Sequence, residues 1–138
     1  PLYQVLLNSP ALAAGWEHLF TVIRQQSSVP PALRELVILR IAVLNGADYE
    51  FQAHVPHALQ AGITQDAIDG LRKNTRILEG VEKLVVQYTD AMTRELQVPD
   101  ALFEDLKRQF DDKTLVELTP TIAGYNMVSR FLIAMQIR

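Results

Sequence analysis

The chain has 138 residues, 49% of them hydrophobic and 21% charged, which predicts a single domain over residues 1–138 with a core that folds without disulfides. Its formal net charge of -3, from 13 basic and 16 acidic residues, argues against nucleic-acid binding through bulk electrostatics. The absence of cysteine excludes disulfides, cysteine-ligated zinc and thiol chemistry.

Helical spacing of apolar residues predicts the first elements of the chain. A cap candidate at Asn8-Ser9 precedes Pro10, from which a first helix runs to about Ile23. A second helix begins near Pro31 and stops at Asn45-Gly46, where glycine can adopt a left-handed conformation. Its apolar positions extend nearly all round, so this helix is expected to be central.

The remaining elements are predicted in the same way. Ala47 to Ala61 forms a third helix with Pro56 inside it, and no segment alternates long enough to be a strand. The sequence therefore predicts an all-α bundle of about six to seven helices. After the third helix, the sequence predicts a fourth helix from a Thr64 cap to Leu71 and a polar loop from Arg72 to Arg76. Two further helices are predicted, Val81 to Leu96 and Pro99 to Phe110. A last helix begins with a capping box, Thr114 to Glu117, and is predicted to kink at Pro120 or Gly124.

No segment has the length of a membrane span. The most apolar stretch, Leu36 to Leu44, is interrupted by Arg40 and falls short of the roughly 20 residues that a span requires. The N-terminus also lacks the pattern of a secretory signal. We therefore expect a cytoplasmic protein without a membrane partner.

Glu50, His54 and His57 project from one face of the third helix, because they lie at positions i, i+4 and i+7. A carboxylate one turn before an imidazole can orient the ring and raise its basicity, which suits proton transfer. Glu35 is the best candidate for a third member. Two alternatives are an ordinary surface pair and a metal site formed by the three side chains of this face.

Other polar residues are candidates for contacts with a small-molecule substrate. Arg130 can hold a carboxylate through its forked donors, although an ion pair is the alternative. Tyr49 is a second candidate for the same role. Asn126 and His57 complete the predicted set of substrate-binding residues.

Four stretches of the sequence resemble the carboxymuconolactone decarboxylase family, the last of them a subgroup of it; the superfamily includes the alkylhydroperoxidase D-type proteins. They are Arg34-Glu35-Leu36-Val37-Ile38-Leu39-Arg40, Asn45-Gly46-Ala47-Asp48-Tyr49-Glu50-Phe51-x-x-His54 with Ala61-Gly62-Ile63-Thr64, and Tyr125-Asn126-Met127-Val128-Ser129-Arg130-Phe131. The resemblance implies an alkylhydroperoxidase D-like fold and a homo-oligomer, a trimer or a hexamer.

The peroxidase branch of that superfamily has a glutamate followed twelve residues later by Cys-x-x-Cys-x-x-x-His. On this sequence the glutamate corresponds to Glu35 and the histidine to His54, while Ala47 and Glu50 stand at the cysteine positions. Peroxidase chemistry that depends on thiols is therefore not implied. The motif Glu50-Phe51-x-x-His54 is instead similar to the motif at the same place in the lactone decarboxylase branch.

The sequence thus favours a cofactor-free, metal-free lyase or isomerase acting on a small carboxylated or lactone substrate. In this hypothesis His54 donates a proton to carbon, Glu50 orients it and Glu35 assists the relay. The alternative is a catalytically silent helical oligomer, or a module that binds a small ligand on a scaffold without its redox cysteines.

Overall fold

The computed structural model describes residues 1–73 and 78–138, which form eight α-helices and no β-strand. The all-α prediction is confirmed, and α1 is a helix that the sequence analysis did not anticipate. In chain order the helices are α1 Leu2–Leu6, α2 Pro10–Thr21, α3 Pro31–Asn45, α4 Asp48–Gln60, α5 Gln65–Lys73, α6 Gly80–Asp90, α7 Asp100–Gln109 and α8 Asp112–Ala134. A π-helical turn follows α2 at Val22–Gln26 and α6 at Ala91–Glu95.

Helix α3 is central, as its apolar pattern predicts. Val37, Ile38 and Leu39 are completely buried although they point in three successive directions around the helix. Helices α4, α6 and α8 pack around α3 and account for this burial. The core is consequently divided into one cluster that joins α3 to α2, α6 and α8, and a second that joins it to α4 and α5.

The turn between α3 and α4 sets the relation of the two helices that carry the predicted catalytic residues. Gly46 has φ +68°, and its N–H bonds to the Val43 carbonyl at 3.3 Å. The N–H of Ala47 then bonds to the Ala42 carbonyl at 2.8 Å. This left-handed ending confirms the predicted stop and turns the chain back along α3.

We predict that Gly46→Ala lowers the free energy of unfolding by about 1 kcal/mol, because an L residue is strained at this positive φ. Urea denaturation followed by circular dichroism measures the change. Gly15→Ala is the matched control, since Gly15 lies within α2 and its added Cβ meets nothing within 4 Å. The control should be stabilised by about 0.5 to 1 kcal/mol; equal effects of the two substitutions would contradict the strain at Gly46.

Helix α8 begins earlier than the capping-box pattern predicts. Asp111 is the N-cap, because its Oδ1 accepts the Thr114 N–H at 2.8 Å. Glu117 instead accepts the Ser28 N–H at 3.1 Å and a Lys113 hydrogen bond at 2.9 Å, so it joins α8 to the segment before α3. The Thr114 cap is thus wrong, and the helix starts two residues before it.

The aromatic contact between α2 and α8 depends on a small residue. Helix α8 runs without interruption through Pro120 and Gly124. A Cβ on Gly124 would lie 3.3 Å from the Phe20 ring, so glycine permits the close approach of that ring.

The predicted polar loop Arg72 to Arg76 is only partly described. Arg72 and Lys73 belong to α5, which corrects the prediction at these two positions, and the rest of the loop lies outside the described residues. Across the helices that the structure describes, none has the length and apolar character needed to cross a membrane.

Candidate active site

Glu35 of α3 meets His54 and Glu50 of α4 in a buried cluster. The His54 Nδ1 lies 2.8 Å from Glu35 Oε2, and its Nε2 lies 3.1 Å from Glu50 Oε1. Glu50 and His54 are one turn apart on α4, whereas Glu35 reaches the same point because the Gly46 turn lays α4 against α3. Both ring nitrogens of His54 therefore face a carboxylate.

The cluster is almost completely removed from solvent. The exposed fraction is 1% for Glu35, 6% for Glu50 and 7% for His54. Arg34 supplies a second cation: its Nε lies 3.5 Å from Glu35 Oε1, and its Nη1 donates a 2.7 Å hydrogen bond to the Arg24 carbonyl. Two carboxylates are thus buried together with an imidazole and a guanidinium, which balances their charges.

Burial alone lowers the pKa of His54, but its contacts with Glu35 and Glu50 outweigh this effect and raise the pKa to about 9. Burial has the opposite effect on the carboxyl group of Glu35 and raises its pKa. The His54 hydrogen bond and the charges of His54, Arg34 and Arg24 outweigh burial, so the pKa of Glu35 lies below its usual value. At neutral pH His54 is accordingly an imidazolium and Glu35 a carboxylate.

A cavity of about 520 Å³ opens onto the cluster, within the range of small-ligand sites. Its walls come from six elements: α1, α2, the π-helical turn after α2, α3, α4 and α8. Its lining residues are Leu2, Tyr3, Trp16, Glu17, Phe20, Thr21, Arg24, Gln25, Arg34, Glu50, His54, Tyr125 and Val128.

Glu50 is the member of the cluster best placed to meet a ligand. It lines the cavity, and its Oε2 has no hydrogen bond or ion pair with any residue of 1–73 or 78–138. His54 also borders the cavity, but a carboxylate lies close to each of its ring nitrogens. The arrangement forms a line from Glu35 through His54 to Glu50 and then to the cavity.

The four predicted substrate-binding residues lie away from this cavity. Tyr49 borders a different cavity, of about 840 Å³, between the start of α4 and the end of α8. His57 is exposed and borders a third cavity, although its ring centroid is 5.4 Å from that of His54. Arg130 is exposed on α8.

Asn126 is occupied by hydrogen bonds inside the core. Its Nδ2 donates to Thr93 Oγ1 at 2.9 Å and to the Ile122 carbonyl at 3.1 Å, and its Oδ1 accepts from Asn45 at 3.0 Å. These bonds satisfy the buried amide and link α8 to α3 and to the turn after α6.

Sequence reasoning missed several residues that line the cavity. Arg24 lies in the π-helical turn, and nothing in its sequence neighbourhood marks it. Trp16, Phe20 and Tyr125 are buried, but each of them also borders the cavity. The spacing of Trp16 and Phe20 indicates a shared helix face without telling a core from a cavity wall.

The metal alternative required Glu50, His54 and His57 to converge. In the described part of the chain, no three histidine, aspartate or glutamate side chains are arranged to hold a metal ion.

A sequence model of the carboxymuconolactone decarboxylase family matches residues 10–91, which is more than half of the chain and includes all of α2, α3 and α4. The uncharacterized protein YdfG of Bacillus subtilis (strain 168) is 27% identical over 115 residues, covering 80% of this chain and 78% of that protein.

Two solved structures share the fold. An uncharacterized peroxidase-related protein from Silicibacter sp. TM1040 has a TM-score of 0.88 at 17% identity, over 99% of this chain and 74% of that one. A protein of unknown function from Agrobacterium tumefaciens, described as a candidate antioxidant defence protein AhpD, has a TM-score of 0.88 at 22% identity, over 97% and 94%. These similarities extend the family match to an alkylhydroperoxidase D-like fold.

Proposed function

The chain belongs to the carboxymuconolactone decarboxylase family, and from this premise we propose that it is a lyase or isomerase that transfers a proton at carbon on a small carboxylated or lactone substrate. The observation that carries the proposal is the buried line Glu35–His54–Glu50 ending at a cavity. Such a line joins a proton donor held in its cationic form to a carboxylate that a substrate can reach.

The chemistry requires one proton and no redox partner. Loss of carbon dioxide from a β-keto acid breaks a carbon–carbon bond and leaves the electron pair as an enolate. A β,γ-unsaturated acid leaves an allylic carbanion, which is an extended enolate where the double bond is conjugated with a carbonyl group. A proton then passes from the His54 imidazolium through Glu50 to carbon, and His54 takes up a proton from solvent. In an isomerisation Glu50 would remove a proton from one carbon and return it to another.

Each member of the line has a distinct part in this proposal. Glu50 exchanges the proton with the substrate because its free oxygen borders the cavity. His54 stores the proton, since its contacts favour the cation. Glu35 holds the imidazole through Nδ1, and Arg34 holds Glu35, so both are positioning residues.

Thiol peroxidase chemistry is not proposed, although both solved structures bear names that refer to peroxidase or antioxidant proteins. The chain has no cysteine, and Glu50 occupies a position where the peroxidase branch has one. A carboxylate at this point can carry a proton but cannot be oxidised to a disulfide or a sulfenic acid.

A substrate screen in D2O tests the proposal. Purified protein is incubated with β-keto acids, unsaturated lactones and peroxides, and products are analysed by NMR. We expect conversion of an acid or a lactone with one deuterium at the protonated carbon, and no consumption of peroxide. Glu50→Gln serves as the inactive reference. Peroxide turnover, or conversion equal to that of Glu50→Gln for every acid and lactone, would overturn the assignment.

Assembly into a homo-oligomer is part of the same proposal. It rests on the family resemblance and on the apolar side chains that α8 leaves exposed, including Val116, Met127 and Ile133. Light scattering on the purified protein tests it; a trimer or hexamer is expected, and a monomer would contradict it.

A further inference from the structure

We propose that the cavity binds a small acid that also carries a carbonyl group, with Arg24 pairing its carboxylate and the Tyr125 hydroxyl donating to the carbonyl oxygen. This inference rests on the proposed function, because it names the substrate class of the same site. It assigns binding to two residues outside the predicted set, one in the turn after α2 and one on α8.

Arg24 is a cation that the protein itself leaves uncommitted. Its side chain lines the cavity, and within residues 1–73 and 78–138 no carboxylate lies within 4.0 Å of it. Among the arginines of these residues, Arg34, Arg40, Arg72 and Arg108 each face a carboxylate of the chain. The exposed Arg24 shares the unpaired state, within the same described ranges, with Arg94, Arg130 and Arg138, but of these four it is the one that lines this cavity. An unpaired guanidinium at a cavity wall suits an anionic ligand, whose carboxylate it can bind with two parallel hydrogen bonds.

The backbone of Arg24 is fixed by the catalytic cluster. Its carbonyl accepts the 2.7 Å hydrogen bond from Arg34, whose Nε faces Glu35. Arg24 lines the same cavity as Glu50 and His54. A carboxylate bound by Arg24 therefore lies in the cavity that Glu50 borders.

The Tyr125 hydroxyl is a second unused polar group. The residue is only 3% exposed, and its hydroxyl has no hydrogen-bond partner among the residues that the structure covers. The buried hydroxyl of Tyr88, by comparison, pairs with Thr119 at 2.7 Å. Burial raises the pKa of Tyr125 well above its usual value, so the phenol stays protonated and remains a donor. A ligand carbonyl would satisfy it.

The rings around Tyr125 form the apolar part of the cavity wall. Its ring contacts that of Phe20 edge-on at 5.3 Å and that of His54 at 5.8 Å, and Trp16 lies 5.3 Å from Phe20. These rings form one part of a lining that is otherwise largely polar, so they can pack against the carbon skeleton of such an acid.

Three matched probes separate the two contacts. 3-Benzoylpropionate carries an aromatic ring, a ketone and a carboxylate; its methyl ester lacks the charge, and 4-phenylbutanoate lacks the ketone. Calorimetry on the full chain measures each dissociation constant. Trp16 is the only tryptophan, so the shift of its single indole N–H signal reports whether a probe occupies the cavity.

We expect Arg24→Gln to weaken 3-benzoylpropionate binding about tenfold while binding of the ester is unchanged. Tyr125→Phe keeps the ring and should weaken the ketone acid about fivefold but leave 4-phenylbutanoate unaffected. Arg130→Gln is the matched control, an exposed arginine away from the cavity, and should change nothing.

Equal binding of acid and ester, no binding of either, or equal losses in Arg24→Gln and Arg130→Gln would overturn the inference. It would also be overturned if Tyr125→Phe weakened the binding of 3-benzoylpropionate and of 4-phenylbutanoate by the same factor. These are binding results and need no turnover. If the expected binding results are obtained but Glu50→Gln retains full activity, the proposed proton transfer fails and the ligand class stands. If Glu50→Gln is inactive but the binding results are not obtained, the proton transfer stands and the ligand class fails.

Discussion

Glu50→Gln is expected to lower kcat/KM by at least about a hundredfold for any acid or lactone that the protein converts. The amide keeps the shape of the side chain and can still accept a hydrogen bond from His54 Nε2, which lies 3.1 Å from Glu50 Oε1. It cannot carry a proton at neutral pH, so the line from Glu35 through His54 would end before the cavity. Steady-state kinetics with the substrate found by screening measures the loss.

Glu17→Gln is the matched control for this experiment. Glu17 also contributes a carboxylate to the cavity lining, but it is exposed on α2 and makes no ion pair with His54 in the described structure. Its substitution should change kcat/KM by less than about threefold. A small effect of Glu50→Gln, or an equal effect of the two substitutions, would show that the proton reaches the substrate by another route.

The helices of the site were predictable because local signals specify them. Apolar residues around all of α3 indicated a buried central helix, and Gly46 marked its end. Glu50 and His54 are four residues apart, which places them on one face of an α-helix, so their spacing was enough to predict that they form a pair. Glu35 is different: it lies on another helix, so helical spacing made it a candidate without pairing it with His54, and the 2.8 Å contact depends on how α3 and α4 pack.

The cavity could not be predicted from the sequence. Periodicity tells which face of a helix is buried, but not which faces meet or whether they leave a space between them. Arg24 and Tyr125 are about a hundred residues apart in sequence, and both line that space. Tyr49 and Arg130 were chosen for their chemistry, which does not say where α4 and α8 direct them.

Local polar contacts limited the sequence prediction in another way. Thr114 and Glu117 have the spacing of a capping box, yet Asp111 precedes them and its carboxylate takes the Thr114 N–H. Glu117 instead accepts a hydrogen bond from the N–H of Ser28, a residue 89 positions earlier. Two cap candidates within one turn compete, and a tertiary contact that the sequence does not display decides between them.

His54→Leu should lower the free energy of unfolding by about 3 kcal/mol at pH 7, because it leaves Glu35 and Glu50 buried without their shared cation. Chemical denaturation measures the loss. His57→Leu is the matched control: His57 is exposed on the same helix, and its substitution should change stability by less than about 0.5 kcal/mol. Adding Glu35→Gln to His54→Leu should recover part of the loss, since it removes one of the two carboxylates that lose their shared cation.

The same contact fixes the pH dependence of stability. The folded-state pKa of His54 is about 9 against an ordinary value of 6.5, so folding favours its protonated form. The resulting stabilisation, about 3 kcal/mol, is complete below pH 6.5 and is lost as the pH rises through 9. The pKa of Glu35 is shifted the other way, below 4.5, so its contribution is present above pH 4.5 and is lost in acid. Stability should therefore be greatest between about pH 4.5 and 6.5, and the decline towards pH 9 should be absent in His54→Leu. NMR titration of the His54 ring provides the direct check: a midpoint near 6.5 would mean that the two glutamates do not hold the proton there, and the relay would lose its source.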